Sequence, residues 1–145
     1  MTTTQEGTSH RIVVGIDGSP SSLDALNWAV RQAELTGATL EALTSWEWPI
    51  NYGAVYLPDG YDPAAEARKV LDEAVEAIRE GHPAVTIRPV IVEGHPAMSL
   101  LEASRDADLL VVGSRGHGQF SGMLLGSVSQ HCSHHAPCPI LIVRA

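Results

Sequence analysis

The chain has 145 residues, enough for one ordinary domain, and its 44% hydrophobic and 18% charged residues exclude a disordered polymer. Nine basic and seventeen acidic side chains give a net charge of −8, which argues against general binding to nucleic acid or to an anionic membrane. The single lysine, Lys69, lies outside any Gly-Lys-Ser/Thr sequence, which excludes the usual P-loop NTPase.

The ends and cysteines of the chain give three further expectations. Residues 1–10 are polar and lack an apolar h-region, so we expect a loose tail and not a signal peptide, followed by a single domain over residues 11–145. No apolar run approaches the roughly 18 residues that span a membrane. Two cysteines are too few for a disulfide framework, so the cytoplasm is the expected compartment.

The first 45 residues predict a strand, a helix and a second strand. The β-branched run from Arg11 to Ile16 is typical of a buried strand. Ser19 as N-cap and Pro20 in the first helical position predict a helix that Gly37 ends. Its apolar face has helical spacing: Leu23, Leu26, Val30 and Ala33. The second strand runs from Thr39 to Ser45.

A long aromatic loop follows. Residues 46–61 contain two prolines, two glycines and five of the seven aromatic residues, namely Trp46, Trp48, Tyr52, Tyr56 and Tyr61. Loops of this length in small domains are often functional lids. The sequence leaves open whether this one covers a ligand, contacts a partner or packs locally on the edge of the sheet.

The second half of the chain also alternates between predicted helices and predicted strands. Pro63 opens a second helix that ends at Gly81, and its apolar face consists of Ala67, Val70, Leu71, Ala74 and Ile78. A third strand, from Val85 to Val92, contains Pro89, which indicates an edge position. The remaining predicted elements are a short helix around Leu100 and Leu101, a strand from Asp108 to Val112, a helix from Ser127 to His135 and a strand from Ile140 to Val143.

This alternation predicts an α/β fold with a five-stranded parallel sheet in the order 3-2-1-4-5 and helices on both faces. The strand order reverses between strands 1 and 4, and ligands of such sheets bind outside the carboxyl ends of the strands at that point. Two turn sequences converge there, one from Asp17 to Ser19 and one from Gly113 to Gly116.

A glycine-rich segment, residues 113–127, leaves the fourth strand and enters the last helix. Glycine allows close backbone approach, and the free N–H groups of a helix start attract an anion. Ser127 and Ser129 add hydroxyls, Arg115 adds a positive charge, and His117 lies within the loop. The segment therefore predicts a phosphate-bearing ligand; the alternative is a mobile loop without one.

With these motifs in order, the chain resembles the universal stress protein family, in the style of its actinobacterial branch. Nucleotide-binding members carry Gly-x2-Gly-x9-Gly-Ser/Thr near the C-terminus, here Gly113, Gly116, Gly126 and Ser127. The segments 14–19, 92–97 and 136–143 match the first strand and turn, the third strand and turn, and the last strand of the family. The resemblance implies a Rossmann-like fold of the adenine nucleotide alpha-hydrolase type that binds ATP.

The resemblance also implies site residues. Asp17 would lie near the ribose and phosphates and help to hold Mg²⁺, and Gly113 would approach the ribose. The backbone at Thr44 and Ser45 would face adenine, although many members carry a histidine or an apolar residue there. The remaining expected binding residues are Gly15, Arg115, Gly116, His117, Gly126, Ser127, Val128 and Ser129.

The implied function is that of an ATP-binding regulatory or stress-response protein that acts as a dimer. The apolar fifth strand, with Ile140, Leu141, Ile142 and Val143, is an edge that a second copy could extend. The alternatives are a slow ATPase or nucleotidyl-transfer enzyme, and a dimeric interaction module with an empty cleft. No base for activating water is identifiable, so no residue is assigned a catalytic role.

A histidine- and cysteine-rich segment permits a second, less favoured interpretation. Zinc binds such side chains, and five of them lie within eight residues: His131, Cys132, His134, His135 and Cys138. Consecutive side chains on a helix point about 100° apart, and Cys132 has the apolar spacing from Val128, which favours a core position. Cys138 is expected to be a small buried residue at the start of strand 5, the alternative being a reactive thiol.

Overall fold

The structure is a computed structural model that describes residues 10–48, 59–115 and 125–144. Within these residues the elements in chain order are β1 (Arg11–Gly15), α1 (Pro20–Thr36), β2 (Thr39–Trp46), α2 (Pro63–Arg79), β3 (Ile87–Glu93), α3 (Pro96–Ala103), β4 (Leu109–Gly113), α4 (Ser127–His135) and β5 (Ile140–Val143). Every element predicted from the sequence is present.

The five strands form one parallel sheet in the order β3-β2-β1-β4-β5, as predicted. The apolar β1 lies at its centre, and Val13 and Val14 are fully buried because helices cover both faces of the sheet. Pro89 lies in β3, an edge strand, where a missing N–H can be tolerated.

Two cores fill the space between the sheet and its helices. On one face α1 and α2 pack against alternate strand residues such as Val14, Leu40 and Val111. On the other face α3 and α4 pack against Val13 and Leu110. This alternation is the period-2 pattern of strands whose two faces are both covered.

Strand and helix boundaries differ from the predictions at several points. The third strand begins at Ile87 and not at Val85, because the N–H of Val85 donates to the carbonyl of His82 in the turn after α2. Trp46 belongs to β2, where it pairs with Glu93, and not to the following loop. Leu23, expected on the buried face of α1, is 39% exposed because it lies at the margin of the face that Leu26 occupies.

Helix starts explain where the chain turns. Ser19 and Asp62 cap α1 and α2 by accepting hydrogen bonds from Ser22 N and Ala65 N, each at 3.2 Å. His95 caps α3 in the same way, since its Nδ1 accepts from Ala97 N at 3.2 Å. Each of these three helices has proline in its first turn, a position that requires no N–H donor.

Candidate functional site

A cavity of about 480 Å³ opens at the carboxyl ends of β1, β2 and β4, where the strand order reverses. The predicted crevice therefore exists. The described residues that line it are Gly15, Ile16, Asp17, Ser22, Leu43, Thr44, Ser45, Trp46, Glu47, Pro63, Glu66, Ala67, Val70, Pro96, Leu100, Val112, Gly113, Arg115, Gly126, Ser127, Val128 and Ser129.

Asp17 follows β1 and lies at the entrance to α1. Its Oδ1 accepts hydrogen bonds from the backbone N–H of Ser19, at 2.9 Å, and from the Ser19 hydroxyl. Ser19 in turn caps α1, so the carboxylate is fixed in place by the helix start. The carboxylate thus has a structural role in the turn, and it also lines the cavity.

The glycines at the ends of β1 and β4 are sites of close approach. A Cβ on Gly113 would lie 2.4 Å from Ser21 Oγ and 2.6 Å from the Ser21 carbonyl carbon, so the first turn of α1 leaves no room for a side chain. A Cβ on Gly15 would lie 2.9 Å from Leu100 Cδ1, a flexible side-chain end. Gly113 therefore fixes α1 against β4 in addition to lining the cavity.

The N-terminus of α4 forms the opposite wall and differs from the other three helix starts. Its N-cap is Gly126, and no side chain caps it. The N–H of Gly126 donates to Ser114 O. The next three N–H groups, of Ser127, Val128 and Ser129, have no acceptor within the helix because they belong to its first turn. Together they give this wall a partial positive charge.

The serine hydroxyls at this wall are not equivalent. Ser129 is buried, and its hydroxyl lies 3.0 Å from Ser114 O and 3.1 Å from Gly126 O, two carbonyl acceptors. It secures the end of β4 to the start of α4. Ser127 is exposed at the cavity. The Ser127 hydroxyl therefore has the better position for contact with a ligand.

The part of the cavity between β2, α2 and α3 is mainly apolar, and the sequence interpretation did not identify it. Trp46, Pro63, Ala67, Val70 and Leu100 line it. No local motif marks these residues, because the spacing of the α2 residues is that of an ordinary core-facing helix. Only the path of the chain brings the first turns of α2 to the end of β2.

Aromatic rings extend from this apolar part. Trp46 and Trp48 make an edge-on contact with ring centroids 5.7 Å apart, and Trp48 contacts Tyr61 at 6.4 Å. Trp48 and Tyr61, near the two ends of the loop, thus contact each other, and the choice among the three interpretations of the loop stays open. Tyr52 and Tyr56 lie outside the described residues.

The expected adenine-facing residues lie at the end of β2. Thr44 is buried, and its hydroxyl donates to Ile16 O at 2.9 Å, which ties β2 to the chain leaving β1. Ser45 is half-buried and lines the cavity beside it. The Thr44 hydroxyl is thus a structural link, and the backbone here remains the candidate contact.

Charged groups on the described cavity wall are mostly acidic: Asp17, Glu47 and Glu66 against Arg115. The two internal segments outside the described residues, 49–58 and 116–124, contain no lysine, arginine, aspartate or glutamate. His117 is their only titratable group that could add positive charge. Backbone N–H groups and one guanidinium must therefore supply most of the attraction for an anion.

Nine of the eleven expected binding residues line this cavity: Gly15, Asp17, Ser45, Gly113, Arg115, Gly126, Ser127, Val128 and Ser129. The other two, Gly116 and His117, lie outside the described residues. Residues 1–9, most of the expected tail, also lie outside them.

The cysteines separate from the histidines in space. Cys132 is fully buried in the core beneath α4, and burial raises the pKa of its thiol to about 11. Cys138 is half-buried before β5, not within it, and burial raises the pKa of its thiol as well. Within the described ranges no group of three or more histidine, cysteine, aspartate or glutamate side chains could hold a metal ion.

Comparison with known proteins identifies one family. The model of the universal stress protein family matches residues 8–144. A universal stress protein of Mycobacterium tuberculosis is 40% identical over 136 residues, which cover 92% of this chain and 45% of that protein. This chain therefore spans about half the length of the curated relatives that it matches.

Solved structures agree with this match. A universal stress protein solved in complex with cAMP is 33% identical and superposes with a TM-score of 0.70, covering 94% of this chain and 97% of its own. A family member from Burkholderia pseudomallei is 30% identical, with a TM-score of 0.65, and the match covers 93% of this chain and 96% of that one.

In the described part of the chain, no helix has the length and apolar character to cross a membrane.

Proposed function

The chain belongs to the universal stress protein family, and on that basis we propose that it binds an adenine nucleotide in the cavity between β1, β2 and β4. The carrying observation is that the start of α4, whose first-turn N–H groups have no side-chain cap, lines the same cavity as apolar residues of β2, α2 and α3. The relative solved with cAMP supports the ligand class.

The cavity offers each part of a nucleotide a chemically suitable wall. The apolar residues of β2 and α2 suit the faces of adenine, and the backbone at Thr44 and Ser45 suits its polar edge. The N–H groups of Ser127 and Val128, together with Arg115, suit phosphate oxygens. The ribose would lie between them, near Gly15 and Gly113.

We further propose that ATP binds there together with Mg²⁺. Mg²⁺ is usually held by one or two carboxylates and the phosphates of the nucleotide, and it keeps several waters. Asp17 fits this pattern because its position is fixed by Ser19 and it lines the same cavity as the α4 start. The ion would also offset the acidic character of the wall.

A holder of nucleotide fits these residues better than a fast ATPase. Hydrolysis requires a group that positions water and groups that stabilise the transition state. Among the described lining residues there is no histidine, and Asp17 already accepts two hydrogen bonds from Ser19. The proposed role is therefore a regulator whose surface or assembly responds to the bound nucleotide, acting in the cytoplasm as one domain from residue 11 onward.

Two substitutions at Ser127 test the nucleotide site. Ser127→Pro removes a first-turn N–H, a position where proline costs no helix hydrogen bond, and Gly126 already has the extended backbone that precedes proline (φ −72°, ψ 167°). Loss of a hydrogen bond to a charged group, about 1.5–3 kcal/mol, should weaken nucleotide binding roughly 10- to 100-fold.

Ser127→Ala is the matched control, because it removes the hydroxyl and keeps the N–H. Calorimetric titration with ATP–Mg²⁺ and with cAMP should show a larger loss for proline than for alanine, at an unchanged or higher melting temperature. Unaltered nucleotide affinity in the proline variant would show that the N–H groups at the start of α4 do not contact the ligand.

A further inference from the structure

Two exposed histidines occupy one side of the last turns of α4. His131 and His135 are four positions apart in sequence, so their side chains lie above one another on the helix surface. Their ring centroids are 4.6 Å apart and their planes are inclined by 41°. His134, also exposed, lies about 60° around the helix from His131, and its ring centroid is 6.4 Å from that of His135.

The separation of the rings matches that of two imidazoles bound to one ion. With a metal–nitrogen bond of about 2.1 Å, the ion lies about 3.2 Å from each ring centroid. If the two metal–nitrogen bonds meet at 90°, the ring centroids lie about 4.5 Å apart. If the bonds meet at the tetrahedral angle, the centroids lie about 5.2 Å apart. The observed 4.6 Å fits the right angle of tetragonal or octahedral coordination.

The position on the helix favours a cation as well. Both residues belong to the last two turns of α4, where the carbonyl groups carry the negative end of the helix dipole. A dication held there is stabilised, and it would link two turns of a helix that has only nine residues.

We propose that His131 and His135 form a two-histidine site for a single divalent transition-metal ion, Cu²⁺ or Ni²⁺, on the outer surface of α4. Each imidazole contributes one nitrogen, and water completes the coordination. The site is separate from the nucleotide cavity, whose described lining contains neither histidine. Because imidazole binds metal only when it is unprotonated, acid releases the ion.

The test is titration of the tag-free, full-length chain with Ni²⁺, which Cys138 cannot reduce. We expect one Ni²⁺ per chain. Since the second imidazole acts as an intramolecular ligand, both His131→Gln and His135→Gln should weaken binding about tenfold or more. His134→Gln is the matched control, an exposed histidine of the same turn, and should change the affinity less than about twofold.

Electron paramagnetic resonance gives an independent readout with Cu²⁺, provided that Cys138→Ser first removes the thiol that would reduce the ion. Hyperfine lines from two nitrogens should become those of one nitrogen in each single variant and remain unchanged in His134→Gln. The proposal is wrong if the double variant at His131 and His135 retains the same Ni²⁺ affinity, or if His134→Gln loses as much as His135→Gln.

Discussion

At the scale of single residues, the charges on the cavity wall set the preference that we expect among the proposed nucleotide ligands. ATP without a metal ion carries about four negative charges, whereas cAMP carries one. The wall presents Glu47 and Glu66 in addition to Asp17, with Arg115 as the opposing charge. Repulsion grows with the charge of the ligand, so the wall disfavours free ATP more strongly than cAMP or ATP–Mg²⁺.

Removal of the two glutamates should therefore strengthen binding of free ATP. At about 10 Å and moderate ionic strength, each charge opposes ATP by roughly 0.5 kcal/mol, so Glu47→Gln with Glu66→Gln should raise the ATP affinity about three- to tenfold in EDTA. The affinity for cAMP should change less than about twofold.

Glu73→Gln supplies the control for this prediction, to be compared with Glu47→Gln and Glu66→Gln singly, because each removes one negative charge and Glu73 is an exposed residue of α2 that does not line the cavity. Titrations at low and at high salt should show that the gain in affinity for free ATP becomes smaller as salt screens the charges of Glu47 and Glu66. An equal gain in Glu73→Gln would mean that net charge and not the cavity wall is responsible.

Burial of Cys132 makes the stability of the fold sensitive to alkaline pH. Its thiol has a pKa near 11 when folded, against an ordinary value of 9.0. Between these values the unfolded chain loses the proton and the folded chain keeps it, so the free energy of unfolding falls as pH rises, by at most about 3 kcal/mol.

Urea unfolding at pH 8 and pH 10 measures this fall. Cys132→Ala should be less stable than the parent at pH 8, because it leaves a cavity in the core, and should lose less stability on going to pH 10. Parallel losses in both proteins would assign the alkaline sensitivity to other groups.

At the scale of elements, the contact between α1 and β4 depends on Gly113. An added Cβ would overlap both the hydroxyl and the backbone of Ser21, and backbone cannot move aside as a side chain end can. Gly113→Ala should therefore lower the free energy of unfolding by about 2–3 kcal/mol or more.

Gly81→Ala is the comparison for this change, since a Cβ at Gly81 meets no atom within 4 Å. Its free energy of unfolding in urea should differ from that of the parent by less than about 0.5 kcal/mol. A Gly113→Ala protein of unaltered stability would show that α1 adjusts at no cost. Because of this packing role, Ser127 variants test ligand binding more cleanly than Gly113 variants.

At the opposite end of the strands, Arg11 at the start of the central β1 joins β1, β2, α3 and the turn that follows α3. Its guanidinium donates to Ala103 O at 2.8 Å, to Arg105 O at 2.6 Å and to Glu41 at 3.2 Å. The Glu41 side chain is only 13% exposed. Arg11→Met keeps the stem and removes these bonds, so it should cost about 2–3 kcal/mol of stability in urea unfolding.

The control is Arg88→Met, which removes a guanidinium that is 63% exposed and 4.0 Å from the same carboxylate. Exposed pairs of this kind contribute at most about 1 kcal/mol. If the two variants lose the same free energy of unfolding, the hydrogen bonds from Arg11 to the carbonyl groups make no net contribution to stability.

Elements and sheet order could be predicted because their signals are local. Caps such as Ser19, the αL glycine Gly37 and the continuous apolar run of β1 act over a few residues. The predicted start of β3, at Val85, is two residues too early because the hydrogen bond from Val85 N to His82 O competes with strand pairing. Similarly, the sequence predicted the glycine side of the cavity but not Glu47 or Glu66, which reach it only through tertiary packing.

At the scale of the whole molecule, the edge strand β5 is the surface through which we propose a homodimer. The carbonyl groups of Pro139 and Val143 accept hydrogen bonds from Leu110 N in β4 and from Ser114 N just after it. Because strand residues alternate in direction, the N–H of Ile142 points away from β4 toward the open edge. A second copy could pair with this edge.

Ile142→Pro should abolish such pairing, because it removes the outward donor and leaves the β4 ladder intact. Ile142→Ala shortens the side chain but keeps the N–H, and is its control. Light scattering at micromolar concentration should show a monomer for proline and a dimer for alanine and for the parent. A parent protein that is itself monomeric would contradict the dimer.

The central claim, that the crevice binds an adenine nucleotide, is tested most directly by calorimetric titration of the nucleotide-stripped chain with ATP–Mg²⁺ and then with cAMP in competition. The account predicts saturable binding of one nucleotide per chain, with a dissociation constant of about 1–100 μM, and displacement of one ligand by the other. No saturable heat with either ligand at millimolar concentration would contradict it.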